Sequence, residues 1–437
     1  MAESSLNTNI PDAISKDEVS GEELIPEIFQ IPTRSLGWTY RTLFALASIV
    51  TGLCNVTIKQ LLLPAQVGFL DPANKFTTFA LIASVGALAG VIMAPLAGAL
   101  SDRTVSRWGR RRPWIIFGII FTVVGLVLMA QSTSIIQLLA GEVILQISVD
   151  TIMSAITAII PDQVPMHQRA TASAFIGMSP IVGGLVGLLL VARFTDATLH
   201  PQQGYYLLAG ASCVLVILFL IVLRDKPLPR GAMPPFRFTT FLAGFWLSPR
   251  KYPDFGYTWL SRCLIFLGYT ILISYILYYL QDVIHYQGAD KGVAIFQLIA
   301  TGTLILAAIV GGIFADKVQR LKPFVSGGAV VMAAALLLIA FVPKWPVMVV
   351  AAVILGIGFG VYLAVDIALA VRVLPAASNR GKDLGIINTA IFLPLIFSPI
   401  IGATVLNLSH NYAMLFVVAA LCFLLAAVLI LPIKGVR

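Results

Sequence analysis

From about residue 42 onward the chain alternates long apolar runs with short polar breaks. Each run is long enough to cross a hydrocarbon layer of roughly 30 Å as a helix. The pattern places spans at 42–64, 77–99, 114–131, 135–160, 170–192, 205–223, 256–280, 292–315, 324–342, 346–371, 385–407 and 411–432. Two pairs are divided only by Gln131-Ser132-Thr133-Ser134 and Pro343-Lys344-Trp345-Pro346. The expected fold is all-α and integral to the membrane, with twelve transmembrane helices in two pseudo-symmetric six-helix halves. The expected divisions are a disordered cytoplasmic tail over 1–40, an N-terminal half over 41–223, a proline-containing cytoplasmic linker over 224–255 and a C-terminal half over 256–437.

A repeated motif supports the division into halves. Gly98-Ala-Leu-Ser-Asp102-Arg103 returns as Gly312-Ile-Phe-Ala-Asp316-Lys317, an offset of 214 residues. A basic turn follows each copy: Arg107 to Pro113 in the first, with Arg110, Arg111 and Arg112, and Arg320 to Pro323 in the second. Ser179-Pro180 through Gly184 is echoed by Ser398-Pro399 through Ala403 at an offset of 219. A chain made of two membrane-spanning copies is a pattern of secondary transporters, whose sites lie between the copies.

Composition agrees with the pattern. The 437 residues are 59% hydrophobic and 11% charged, with a mean hydropathy of +0.94, which excludes an ordinary soluble domain. The net charge of +9 follows loop parity. With both termini inside, 23 Lys and Arg residues fall in inside segments and 4 in outside ones, which predicts a multi-pass cell-membrane protein with cytoplasmic termini. The charge is therefore a topology signal, and no nucleic-acid partner is expected. The four cysteines fall inside spans and the four histidines in loops, so neither a metal site, a cofactor nor a histidine proton relay is expected. Without a nucleophile cluster or phosphate loop at the bilayer surface, an enzyme is not expected either.

Five ionisable residues lie well within the spans: Lys59, Glu142, Asp150, Arg262 and Asp366. They occupy spans 1, 4, 7 and 10, the opening members of four three-helix units, which makes those helices the expected walls of an aqueous path. Asp150 is deepest, too far from either interface for its short side chain to escape, and is the first candidate for proton coupling. Glu142, outward of it, and Asp366, its symmetry mate at an offset of 216, are the other two. A permanent ion pair of Asp150 with Lys59 or Arg262 is the competing structural reading. Asn55, Lys59, Gln60, Gln146, Arg262, Tyr269, Ser274 and Tyr275 offer the amides, charges and rings that a hydroxyl-rich solute needs. Tyr278 and Tyr279 are expected in an interfacial aromatic belt.

At Gly98, Asp102, Arg103 and the Arg110–Pro113 turn the chain resembles the major facilitator superfamily, across residues 38–434. Within it, the Ser101–Pro113 loop looks like the branch of sucrose-type and glycoside–pentoside–hexuronide cation symporters. Gly381 to Gly385, with Asn388 and Pro394, is similar to that branch's turn between helices 10 and 11. The resemblance implies alternating access by a monomer around a central cavity to which Asn388 contributes. It also implies a cytoplasmic gate of Gly98, Asp102, Arg103, Arg110, Arg111, Arg112, Arg169, Gly312, Asp316, Lys317 and Arg380. Span 77–99 has no acidic residue, which disfavours sodium, and 151–161 has no arginine, which weakens the case for sucrose. The reading is a proton-coupled symporter of a sugar, glycoside or similar polar solute. A proton-driven exporter of amphipathic compounds or a lysolipid-type carrier is the alternative.

Overall fold

The computed structural model describes residues 35–228, 252–318, 320–373 and 380–433. Most of the expected tail and linker lie outside those residues. Among the described residues twelve helices are long and apolar enough to span a membrane. In chain order they are α1 (Trp38–Leu70), α2 (Lys75–Asp102), α3 (Arg112–Ala130), α4 (Ile135–Gln163), α5 (Met166–Phe194) and α6 (Pro201–Val222). The second half holds α7 (Pro253–Asp282), α8 (Ala289–Val318), α9 (Lys322–Phe341), α10 (Trp345–Arg372), α11 (Arg380–Ser409) and α12 (Tyr412–Leu429).

Several helix starts are legible in the chain. Proline stands at the first or second position of α3, α6, α7 and α9, where its missing N–H costs nothing. Ser134 Oγ accepts from Gln137 N at 3.3 Å to start α4, and Asn411 Oδ1 accepts from Ala413 N at 2.8 Å to start α12. The four-residue break before α4 and the three-residue break before α10 are therefore real turns.

The halves repeat one packing scheme. α2 and α3 pack on α4 as α8 and α9 pack on α10; α1 packs on α5 as α7 packs on α11; α3 meets α6 as α9 meets α12. Across the halves, α2 lies against α11 and α5 against α8, again as symmetry mates. One end of the bundle carries the basic turns, and we call it the basic end. At the other, far end, the halves are joined by a series of contacts. Lys75 pairs with Asp282 at 2.7 Å, and the Tyr412 hydroxyl donates to the same carboxylate at 2.5 Å. Phe76 meets Tyr278 edge-on at 5.5 Å and Phe79 meets Tyr275 at 5.6 Å.

Candidate functional site

In the first half the site starts from an irregularity in α1. Residues Ile58–Leu62 form a π turn in which Leu63 N–H reaches back five residues to Ile58 O. Pro64 has no N–H to continue an α-helical ladder at Gln60 O, so a wider turn before it sacrifices little. The turn carries Lys59 and Gln60. Lys59 Nζ donates to Gln146 Oε1 at 2.9 Å, and Gln146 Nε2 donates to Asp150 Oδ2 at 2.8 Å. Gln60 Nε2 reaches across to Gln297 Oε1 on α8 at 3.2 Å, and Gln297 passes the chain to Thr301 at 3.0 Å.

Glu142, Gln146 and Asp150 are four residues apart on α4 and so share one face. Two glycines on α2, also four apart, make room for them. A Cβ on Gly86 would lie 2.9 Å from Glu142 Oε1, and one on Gly90 would lie 2.9 Å from Gln146 Nε2. Glu142 is 1% exposed, and its Oε2 has no hydrogen-bond partner. Asp150 is only half-buried. Lys59 thus reaches Asp150 through an amide, and the direct Asp150 ion pair with Arg262 weighed from the sequence does not form.

Arg262 belongs to the second half's own network. Its Nη2 lies 3.1 Å from Asp366 Oδ2, and Tyr362 OH donates to Asp366 Oδ1 at 2.6 Å. Both charged residues are buried, at 6% and 3% exposure. The guanidinium also sits 6.0 Å from the Phe266 ring centroid, and Tyr269 stacks on Phe359 at 4.4 Å.

At the basic end Arg111 is the hub of the first gate motif. It pairs with Asp102, donates from Nη1 to Ser101 Oγ at 2.6 Å and from Nε to Asp162 Oδ2 at 3.0 Å. Arg110 holds the other oxygen of Asp162 at 2.5 Å. Asp225 accepts from the backbone N–H of Arg111 at 2.5 Å and of Arg112 at 2.8 Å, closing the start of α3. Burial pushes the Asp225 carboxyl above its ordinary range, and those two N–H groups pull it partly back. Gly109, at φ 102°, brings the turn against Asp225 in a conformation that suits glycine. Arg103 Nη1 donates to Ala99 O at 2.8 Å. Arg169 donates to Val164 O and Pro161 O, each at 3.0 Å, closing the end of α4.

The structure brings most of the expected cavity residues onto facing helices. Asn55, Lys59, Asp150 and Tyr269 are half-buried, Gln60, Gln146, Arg262 and Ser274 buried. Tyr275 lies in the far-end seal, its hydroxyl donating to Pro399 O at 2.5 Å. Tyr278 and Tyr279 are a correction to the aromatic-belt expectation. They are 1% and 2% exposed, because their hydroxyls donate inside the protein to Pro64 O at 3.0 Å and Ile339 O at 2.8 Å. The side chains of Asp316, Arg380 and Asn388 lie outside the described residues; Gly312 and Lys317 end α8 at the basic end. The sequence reading missed Asp162, Asp225, Asp282, Gln297 and Tyr362. Only Tyr362 left a signal, since like Gln146 it sits four residues before an aspartate. The expected mating of Asp366 with Asp150 is corrected, because α4 and α10 start 210 residues apart and Gly360 takes the place of Asp150.

Twelve spanning helices in two halves with one packing scheme, and buried charges on corresponding inner helices, define a membrane-transporter architecture. The profile of the Major Facilitator Superfamily matches residues 42–310 and 298–436, and the chain belongs to that superfamily. The general alpha-glucoside permease of Schizosaccharomyces pombe is 29% identical over 153 residues, covering 30% of this chain and 28% of that protein. The glucose transporter GlcP of Staphylococcus epidermidis is 22% identical over 374 residues, covering 76% of this chain and 80% of GlcP. Human solute carrier family 45 member 4 is 31% identical over 140 residues, covering 29% of this chain and 18% of that protein. The chain thus matches less than a third of the permease's length and of the human carrier's. Among solved structures, the nucleoside transporter NupG superposes with a TM-score of 0.69 at 15% identity, covering 91% of this chain and 99% of NupG.

Proposed function

We propose that the protein is a proton-coupled symporter of a sugar, glycoside or similar polar solute. It works as a monomer by alternating access across the cell membrane, with its basic end and both termini in the cytoplasm. The observation that carries the reading is Asp150: a half-buried carboxylate in the middle of α4, joined to Lys59 through the Gln146 amide rather than locked in a direct ion pair. A carboxylate so placed can take up and give back a proton as its surroundings change.

Other observations support the solute class and the orientation. Relatives named for alpha-glucosides and glucose favour a sugar, and Tyr269 stacked on Phe359 beside the Gln60–Gln297 amides suits a ring with hydroxyls. The distribution of Lys and Arg favours the basic end inside. The far end would then be the closed, outward side, and the Asp102, Arg110, Arg111 and Asp162 cluster would be the cytoplasmic gate.

The test is pH in lightly buffered medium around proteoliposomes as sugars and glycosides are added without a sodium gradient. Alkalinisation with one solute class is the expected result. Uptake that appears only with sodium would overturn the proton assignment, and no uptake of any sugar would overturn the solute class.

A further inference from the structure

The first half holds one more buried charge than proton symport through Asp150 requires. Glu142 is 1% exposed, with Oε2 unpartnered. The titratable groups that face it are Lys59 and Cys54 on α1, Tyr205 on α6 and Asp150 on its own helix, while α2 presents Gly86. Cys54 is occupied with Ser212 Oγ at 3.4 Å, and the Tyr205 hydroxyl is buried without a partner. Lys59 is the cation of this group. Its ammonium rests on Gln146, and Gln146 stands one turn, about 6 Å, from Glu142 on one side and from Asp150 on the other.

Charge balance then restricts the states available. With both carboxylates ionised and one ammonium, the cluster carries a net buried negative charge, which is costly in a bilayer. With one proton on either carboxyl it is neutral. In the structure the Lys59 ammonium rests on Gln146, between the two acids and in the field of both, and only Asp150 receives the Gln146 amide.

We propose that Glu142 and Asp150 share one proton and one lysine, Lys59 turning to whichever carboxylate is charged. In the arrangement seen, Glu142 holds the proton and Asp150 the charge. In the alternate one, the O–H bond on Glu142 breaks and one forms on Asp150. Lys59 keeps its charge and moves from Gln146 toward Glu142, where the Tyr205 hydroxyl is free to donate to the new carboxylate. The two carboxyls are eight residues apart, so the proton travels about 12 Å along α4 toward the basic end. This rests on the proton-symport reading and gives it a direction: Glu142 loads and Asp150 unloads.

The test uses the full chain in proteoliposomes, with the wild type and Glu142→Gln. We expect protons taken up per solute to fall at least about fivefold in E142Q, with a flattened pH profile of uptake. An unchanged ratio and profile in E142Q would overturn the shared proton and leave Asp150 as a lone coupling site. A wild type that takes up solute without protons would overturn the symport reading itself. Infrared spectra provide a measurement that does not depend on transport. The wild type at neutral pH should show a protonated-carboxyl C=O band that is lost in both Asp150→Asn and E142Q, because either variant leaves a single carboxylate for the one lysine. A band that persists in D150N would overturn the shared lysine. Absence of that band from the wild type would overturn the proposal even if E142Q could not be recovered folded.

Discussion

Each half carries an aspartate on its fourth helix with a hydrogen-bonding residue four positions before it, Asp150 near the middle of α4 and Asp366 within the last two turns of α10, and the two are held in opposite ways. In the first half the partner cation is bridged: Lys59 to Gln146 to Asp150, with Asp150 half-buried. In the second the cation is direct: Arg262 on Asp366 at 3.1 Å, Tyr362 on the other oxygen, and both charges buried. A guanidinium in contact with a carboxylate is a strut between α7 and α10. A carboxylate held through a neutral amide keeps the freedom to change its charge without abandoning a buried cation. An aspartate on the fourth helix thus suits a proton site in one half and a brace in the other.

The largest effect that could break this comparison is on transport. Asp150→Asn should abolish uphill accumulation, bringing the internal solute down to the external level, while solute exchange continues. Radiolabelled uptake and counterflow in the same proteoliposomes check both. Normal accumulation by D150N would place coupling elsewhere and remove the functional side of the comparison.

Next comes stability. Asp366→Asn leaves Arg262 charged and buried, which costs about 3–5 kcal/mol for a broken buried pair. Thermal unfolding in detergent should show a large drop, and a double variant that also neutralises Arg262 should recover part of it. The same measurement on D150N should show much less, because the Lys59 ammonium retains Gln146. A D366N protein as stable as D150N would mean that the two aspartates are not used differently.

The contrast was only partly legible in the sequence. Spans, repeats and the depth of Asp150 follow from hydropathy and spacing, which are local properties of the chain. Which cation meets which acid is not local. Lys59 and Arg262 sit at different depths in α1 and α7, and a π turn aims Lys59, so spacing on α4 and α10 does not reveal the pairing. Asp162 and Asp225 escaped notice for a related reason. They lie at helix ends among ordinary loop charges and matter only because α3 begins beside them. Tyr278 and Tyr279 were misread because an aromatic pair near a helix end has the same sequence pattern whether it faces lipid or another helix. Here α1 and α9 supply carbonyls to their hydroxyls.

A subtler change sharpens the brace. Tyr362→Phe removes one hydrogen bond to the Asp366 carboxylate and leaves the Arg262 pair in place. Such a bond to a charged group is worth about 1.5–3 kcal/mol. The expected loss of thermal stability therefore falls between that of D366N and that of a surface substitution, with transport coupling intact. Loss of coupling in Tyr362→Phe would bring the second half into the proton pathway.

The smallest predicted effect on stability concerns the two ends rather than the two halves. Lys75 and Asp282 are a half-exposed pair, worth only about 0.2–1 kcal/mol, and Lys75→Gln should barely move unfolding. The pair nevertheless joins α2 to α7 across the halves, and Tyr412 from α12 adds a third helix to the same carboxylate. Under alternating access such a contact exists in one state and not in the other, so even a fraction of a kcal/mol appears as a change of population. A single cysteine introduced at Ser84, on the face of α2 that donates to Ile396 O, should react faster with an impermeant thiol reagent added from the far side once Lys75 is neutralised. Because the chain's own four cysteines would also be probed, the comparison is made in a background with those replaced. Unchanged reactivity would mean that the aromatic contacts of Phe76 and Phe79 with Tyr275 and Tyr278 hold the far end closed without help from the ion pair.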